Sequence, residues 1–156
     1  MKRIVELLTK QKKTISTMES CTGGYIVNEI TNIEGASEVL RFSAVTYSNE
    51  FKIKMGVDPK ILETYTVYSM ETAEAMSEVI TKYTNSDYGI GITGKLNRVD
   101  KENPFGKDNV VFISIYEKEK KKHTNIQVEA NKSSRRENKE KVKQAIVTEL
   151  LKILGE

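Results

Sequence analysis

Residues 17–27 read TMESCTGGYIV, and their reading decides the fold. A stretch with β-branched and apolar residues runs into them, and an apolar pattern at helical spacing runs out. Between the two lie five small residues, Ser20, Cys21, Thr22, Gly23 and Gly24. A strand that passes into a helix in this way is half of a βα unit, so an α/β sheet is expected. The same corner offers two potential nucleophiles beside glycines, which leave the backbone open to a ligand.

The neighbouring sequence repeats the pattern. Upstream, Ile4, Val5, Leu7 and Leu8 share one face of an amphipathic helix over 2–11, and 13–19 read as a strand. Downstream, the spacing predicts a helix over 22–33 and a second strand over 41–47. A helical turn is expected over 49–55, and Asp58-Pro59 opens another helix with proline in its first turn. Ser69 reads as the cap of a helix whose apolar face is Ala73, Met76, Val79, Ile80 and Tyr83. Residues 87–93 form a third strand and 94–109 a long polar loop. Strands at 110–116 and 124–129 look antiparallel, joined by a turn in EKEKKKH, and a helix runs from about Ser134 to the end. This order predicts an α/β sheet covered on both faces, and mixed.

The 156 residues make one domain the simplest expectation, spanning 1–156. The net charge of +3 comes from 25 basic residues mixed with 22 acidic ones. No basic patch interleaved with aromatics is visible, so no nucleic-acid partner is expected. The single cysteine forbids an internal disulfide and fits a reducing cytoplasm. The first residues are charged between their apolar positions, unlike a signal peptide. No apolar run approaches the ~20 residues that cross a bilayer, so no membrane partner is expected.

In open α/β sheets ligands sit at the carboxyl ends of the strands. Three segments leave strands with small or polar residues there: SCTGG, YSNEFK at 47–52, and Thr93-Gly94. If they converge, the N–H groups of Thr22, Gly23 and Gly24 face the ligand from a helix N-terminus. Ser20 then needs a base. The one histidine, His123, lies among lysines and reads as solvated surface. Lys52 fits the role when burial lowers its proton affinity, with Tyr47 relaying the proton or holding the amine. A second reading stands beside this one: Ser20 caps the following helix, Tyr47 packs at a sheet edge, and Lys52 is solvated. Cys21 reads as a packing residue, the methionines as core, and lysines 118–122 as a solvated hairpin tip.

Taken together, ESCTGG, YSNEFK, MGV, YSMETAEAM and DYGIGITG resemble the carboxy-terminal domain of the CinA family. Stand-alone members are nicotinamide-nucleotide amidases, which convert nicotinamide mononucleotide to nicotinate mononucleotide and ammonia. The resemblance implies a three-layer α/β/α sandwich on a mixed, mostly parallel five-stranded sheet. It implies a Ser20 nucleophile activated by Lys52 and Tyr47, with Thr22, Gly23, Gly24, Asn49, Thr93 and Gly94 at the substrate. It implies no metal and no organic cofactor, a small nucleotide substrate, and self-association of the chain. The pattern breaks in two places. The family's Ile-Ala-Gly-Pro turn is replaced by Lys95, Leu96, Asn97 and Arg98, with only Pro104-Phe105-Gly106 resembling the usual loop. Its Gly-Asp-Arg near the last helix becomes KSSRREN, where Arg135 or Arg136 substitutes for the phosphate-serving arginine, or neither does. The alternatives are a catalytically impaired nucleotide-binding module of the same fold, or a competence-related interaction protein.

Overall fold

The computed structural model describes residues 1–96, 101 and 108–156. Five strands, β1 (Ile15–Glu19), β2 (Ala44–Val45), β3 (Tyr88–Gly94), β4 (Val110–Glu117) and β5 (Lys122–Glu129), form one sheet in the order β2-β1-β3-β4-β5. β1 runs parallel to both β2 and β3, while β4 is antiparallel to β3 and to β5. Four strands therefore point one way and β4 the other. Among the described residues the α-helices are α1 (Lys2–Gln11), α2 (Tyr25–Thr31), α3 (Asn49–Met55), α4 (Pro59–Tyr65), α5 (Met70–Thr84) and α6 (Arg135–Ile153).

The helices lie in two layers. Ile4 and Leu8 of α1, Ile26 of α2 and Val142 and Ile146 of α6 pack on Ile90, Ile92, Ile113 and Ile115 of the sheet. Met18 of β1 meets Met76 and Ile80 of α5 on the other face, with Val57 beyond α3. α5 lies hard against β3 because two strand positions are glycines. A Cβ on Gly91 would stand 2.1 Å from the Ala73 carbonyl, and one on Gly89 would stand 2.4 Å from the Ser77 carbonyl. The expected helix caps hold, since Ser69 Oγ accepts from Thr72 N at 3.2 Å and Asp58 caps α4 with Pro59 next. Ser134 and Glu137 form a capping box at α6.

Three expectations need correction. The helix after SCTGG begins at Tyr25, since Gly23 and Gly24 hold φ of 62° and 89°, which no right-handed helix accepts. β2 is two residues long, because Ser43 uses its side chain to accept from Thr17 N at 3.2 Å and so replaces a rung of the ladder. His123 belongs to β5, past the tight turn at 118–121, and is mostly buried. Its Nδ1 is joined to Ser114 Oγ at 2.8 Å and its Nε2 to Glu78 Oε1 at 2.8 Å, tying both antiparallel strands to α5. Met18 and Met76 are core as expected. Among the described residues no helix is long and apolar enough to cross a membrane.

Candidate active site

β1 ends in Glu19, a fully buried carboxylate that organises everything after it. It accepts from Thr22 Oγ1 at 2.6 Å, Thr17 Oγ1 at 3.3 Å, and the backbone N–H of Gly24, Ile26 and Val27 at 3.1, 3.1 and 2.8 Å. The positive end of α2 is thus already occupied by an anion from the chain itself. The positive φ of the two glycines lets the turn wind round that carboxylate. This corrects the expectation that Thr22, Gly23 and Gly24 present free donors. Gly23 N is spent on Ser20 O at 2.9 Å, Gly24 N on Glu19, and the Thr22 hydroxyl on Glu19. Within the SCTGG corner, the Cys21 N–H meets its own thiol, and the Thr22 N–H is the one with no carbonyl or side-chain acceptor among the described residues.

Ser20 follows Glu19 and is anchored by its own N–H, which donates to Ile92 O of β3 at 3.0 Å. Lys52 comes to meet it from α3. That helix is set by the Ser48 hydroxyl at its start, which accepts from Phe51 N at 3.3 Å, and by Gly56 at its end with φ 117°. Lys52 is fully buried, and its Nζ donates to Thr46 O at 2.7 Å and to Ser20 Oγ at 3.1 Å. No carboxylate pairs with it among the described residues. Burial without a counter-charge lowers its pKa from 10.5 to about 8. Lowered into this range, the amine can shed its proton near neutral pH and act as a base. The solvated-lysine reading and the Ser20-cap reading both fail, since α2 is capped at Gly24.

The remaining expected residues divide. Tyr47 is 65% exposed and takes neither of the Lys52 bonds; the Thr46 carbonyl holds the amine instead. Asn49 starts α3, half-buried. Thr93 is buried with its hydroxyl on Val67 O at 2.8 Å, pinning the connection into α5. Gly94 has φ 153°, and a Cβ there would meet Val110 O at 2.4 Å, so it permits close contact with β4. Lys95 and Leu96 are buried. The Lys95 amine pairs with Asp108 at 3.2 Å and lies over the Tyr68 ring. Asn97, Arg98 and Pro104-Phe105-Gly106 lie outside the described residues.

At α6, Arg135 Nη1 donates to Leu96 O at 2.5 Å, and its charge acts on Cys21. Arg136 lines a surface recess with Glu137, Glu140 and Gln144. Lys139, one turn after Arg135, brings its amine within 3.6 Å of where a Gly23 Cβ would stand. It has no ion-pair partner among the described residues, and sequence reading missed it by looking for an arginine. The Cys21 thiol is pushed up to about 12, chiefly by burial, and is inert as a nucleophile.

The sequence pattern of the CinA C-terminal domain matches residues 1–154. The chain belongs to the CinA C-terminal domain family. A CinA-like protein of Endomicrobium trichonymphae is 41% identical over 117 residues, covering 73% of this chain and 27% of that protein. The chain spans about a quarter of the length of the curated relatives it matches. The crystal structure of competence/damage inducible protein CihA from Agrobacterium tumefaciens superposes with TM-score 0.84 at 27% identity, covering 99% of this chain and 92% of that one. A competence or damage-inducible protein from Enterobacter asburiae reaches TM-score 0.88 at 24% identity, covering 99% and 95%, and shares the fold. CinA-family membership agrees with the motifs that flank Ser20 and Lys52.

Proposed function

We propose that this protein is a cytoplasmic amidohydrolase that converts nicotinamide mononucleotide to nicotinate mononucleotide and ammonia, with Ser20 as nucleophile and Lys52 as base. The observation that carries the reading is the buried Lys52 amine 3.1 Å from Ser20 Oγ, with no carboxylate to keep it charged. The choice of substrate rests on the family resemblance. In its neutral form Lys52 keeps its bond to Thr46 O and accepts the Ser20 proton. Ser20 Oγ then bonds to the carboxamide carbon, and the carbonyl electron pair moves onto oxygen. The N–H of Thr22 is the donor free to meet that oxyanion, worth about 3 kcal/mol when aligned. The intermediate collapses, the C–N bond breaks, and the Lys52 ammonium protonates the leaving amine. Water, deprotonated by Lys52, cleaves the acyl-serine ester and releases the carboxylate. Lys139 and Arg135, on one face of α6, supply positive charge for the nucleotide phosphate.

Ammonia release from nicotinamide mononucleotide tests this, with Ser20→Ala as the inactive control. A second reading, a nucleotide-binding module without turnover, is favoured by the buried Lys95 and Leu96 in place of small residues. Calorimetric binding of the nucleotide with no ammonia from either protein would select it.

A further inference from the structure

Among the described residues, one buried side-chain oxygen or nitrogen has no hydrogen-bond partner, and it is Thr46 Oγ1. Buried hydroxyls are otherwise satisfied inside a fold, so an orphaned one calls for an explanation. Thr46 is 2% exposed and comes directly after β2. Its N–H donates to Glu19 O at 2.9 Å, and its carbonyl accepts from the Lys52 amine at 2.7 Å. The direction of its side chain follows from strand alternation. Ala44 packs with Met18 and Met76 on the α5 side of the sheet, while Val45 reaches over Gly24 at the start of α2. Thr46 therefore returns to the α5 side. Met18 pairs with Ala44, and Glu19 pairs with Val45 and with Ile92. One step further, the same register sets Thr46, Ser20 and Thr93 side by side on neighbouring strand ends, about 5 Å apart. Of these three hydroxyls, that of Thr93 donates to Val67 O and that of Ser20 accepts from Lys52, while that of Thr46 is unused.

We propose that Thr46 is a further catalytic residue, whose hydroxyl accepts an N–H of the substrate's primary carboxamide and holds the nitrogen that leaves. This rests on the amidase reading above. In that reaction the leaving nitrogen comes to Lys52 Nζ for its proton, and Lys52 Nζ is tied to Thr46 itself. The nitrogen and the Thr46 hydroxyl are thereby brought to one spot, while the oxyanion turns to the Thr22 N–H. A carboxamide nitrogen keeps both its N–H groups through the attack of Ser20, and its lone pair takes the Lys52 proton. The C–N bond then breaks, the carbonyl re-forms, ammonia departs and Lys52 is left neutral; Thr46 gives up no atom. As the nitrogen gains that proton its N–H groups donate more strongly, so the bond to Thr46 is stronger in the transition state than in the bound substrate. An ester or a carboxylate offers no N–H at this place. Thr46 therefore selects a primary amide over an ester and favours release of the acid product.

Steady-state kinetics on two substrates is the test, nicotinamide mononucleotide and the methyl ester of nicotinate mononucleotide. Both pass through the same acyl-Ser20, and the amide alone brings an N–H to Thr46. Thr46→Val puts a methyl group of similar size in place of the hydroxyl. It is expected to lower kcat/KM for the amide on the order of 10–100-fold, chiefly through kcat, and to leave the ester within about twofold. It should melt no lower than the wild type, because the hydroxyl it removes has no partner in the fold. Thr46→Ser, which keeps a hydroxyl, should recover most of the amide rate. A Thr46→Val protein that holds the amide rate within about twofold overturns the inference. So does one that loses amide and ester equally, or a loss that Thr46→Ser fails to recover, since either marks a packing role. Those outcomes leave the amidase reading standing, whereas a wild type that releases no ammonia removes both.

Discussion

Two hydroxyl–base pairs of this protein make a telling contrast, and the one with the more familiar composition is the one that cannot work. Ser114, His123 and Glu78 are linked at 2.8 Å and 2.8 Å, the residue types of a hydrolytic triad. Yet Ser114 is fully buried in the middle of β4, paired to Gly91 on one side and Asn125 on the other. Within such a ladder its neighbours' N–H groups are consumed, and none remains for an oxyanion. Ser20 and Lys52 lack a histidine altogether. They sit where β1 has just ended, beside the Thr22 N–H, which has no acceptor among the described residues. A nucleophile is recognised by what surrounds the position of the developing charge, more than by the identity of its base.

The sharpest way to break this contrast is to remove each hydroxyl. Ser20→Ala is expected to lower kcat for ammonia release at least ~10⁴-fold, and Ser114→Ala to leave it within about twofold. Lys52→Met is expected to lose about 10³-fold in kcat, while His123→Gln keeps activity and melts a few degrees lower by losing its bonds to α5. Lys52→Met also sharpens the energetic side. The folded chain holds this proton less tightly than the unfolded one, so burial of the ammonium opposes folding below pH 8 and the opposition fades between pH 8 and 10.5. The methionine variant should therefore gain on the order of 1–2 kcal/mol at pH 7 in urea unfolding, with the gain vanishing near pH 10. For the same reason kcat/KM of the wild type should rise up to tenfold per pH unit below about 8 and level off above it. Glu19→Gln turns an acceptor that meets five donors into a group with donors of its own. It should cost about 3 kcal/mol of stability, read by thermal unfolding. The smallest effect expected is at α6, where Lys139→Met raises KM about tenfold with kcat little changed and Arg136→Met changes neither.

Much of the architecture is legible in apolar spacing. The faces of α1, α5 and α6, the parallel start and the antiparallel finish of the sheet all follow from it. The site was legible as the Ser20–Lys52 pairing, because segments that leave parallel strands meet at one end of a sheet. What lay beyond the sequence has physical causes. Glu19 reads as one more charged residue until the turn folds back and delivers three backbone N–H groups to it. β2 is short because a serine side chain imitates a backbone carbonyl, which no propensity records. His123 looked solvated among lysines, but strand alternation points the lysines outward and the imidazole under α5. Lys139 is found only once the phase of α6 about its axis is known.

Glu19 has one further consequence. Because the corner brings its own negative charge, the start of α2 has nothing left to offer an incoming anion. Under the proposed function, recognition of the nucleotide phosphate falls to a different stretch of chain, some 115 positions further along, on α6. That proposed function houses bond cleavage and ligand choice apart, so an exchange of residues along one helix face would be enough to retarget the protein while its cutting edge stays as it is.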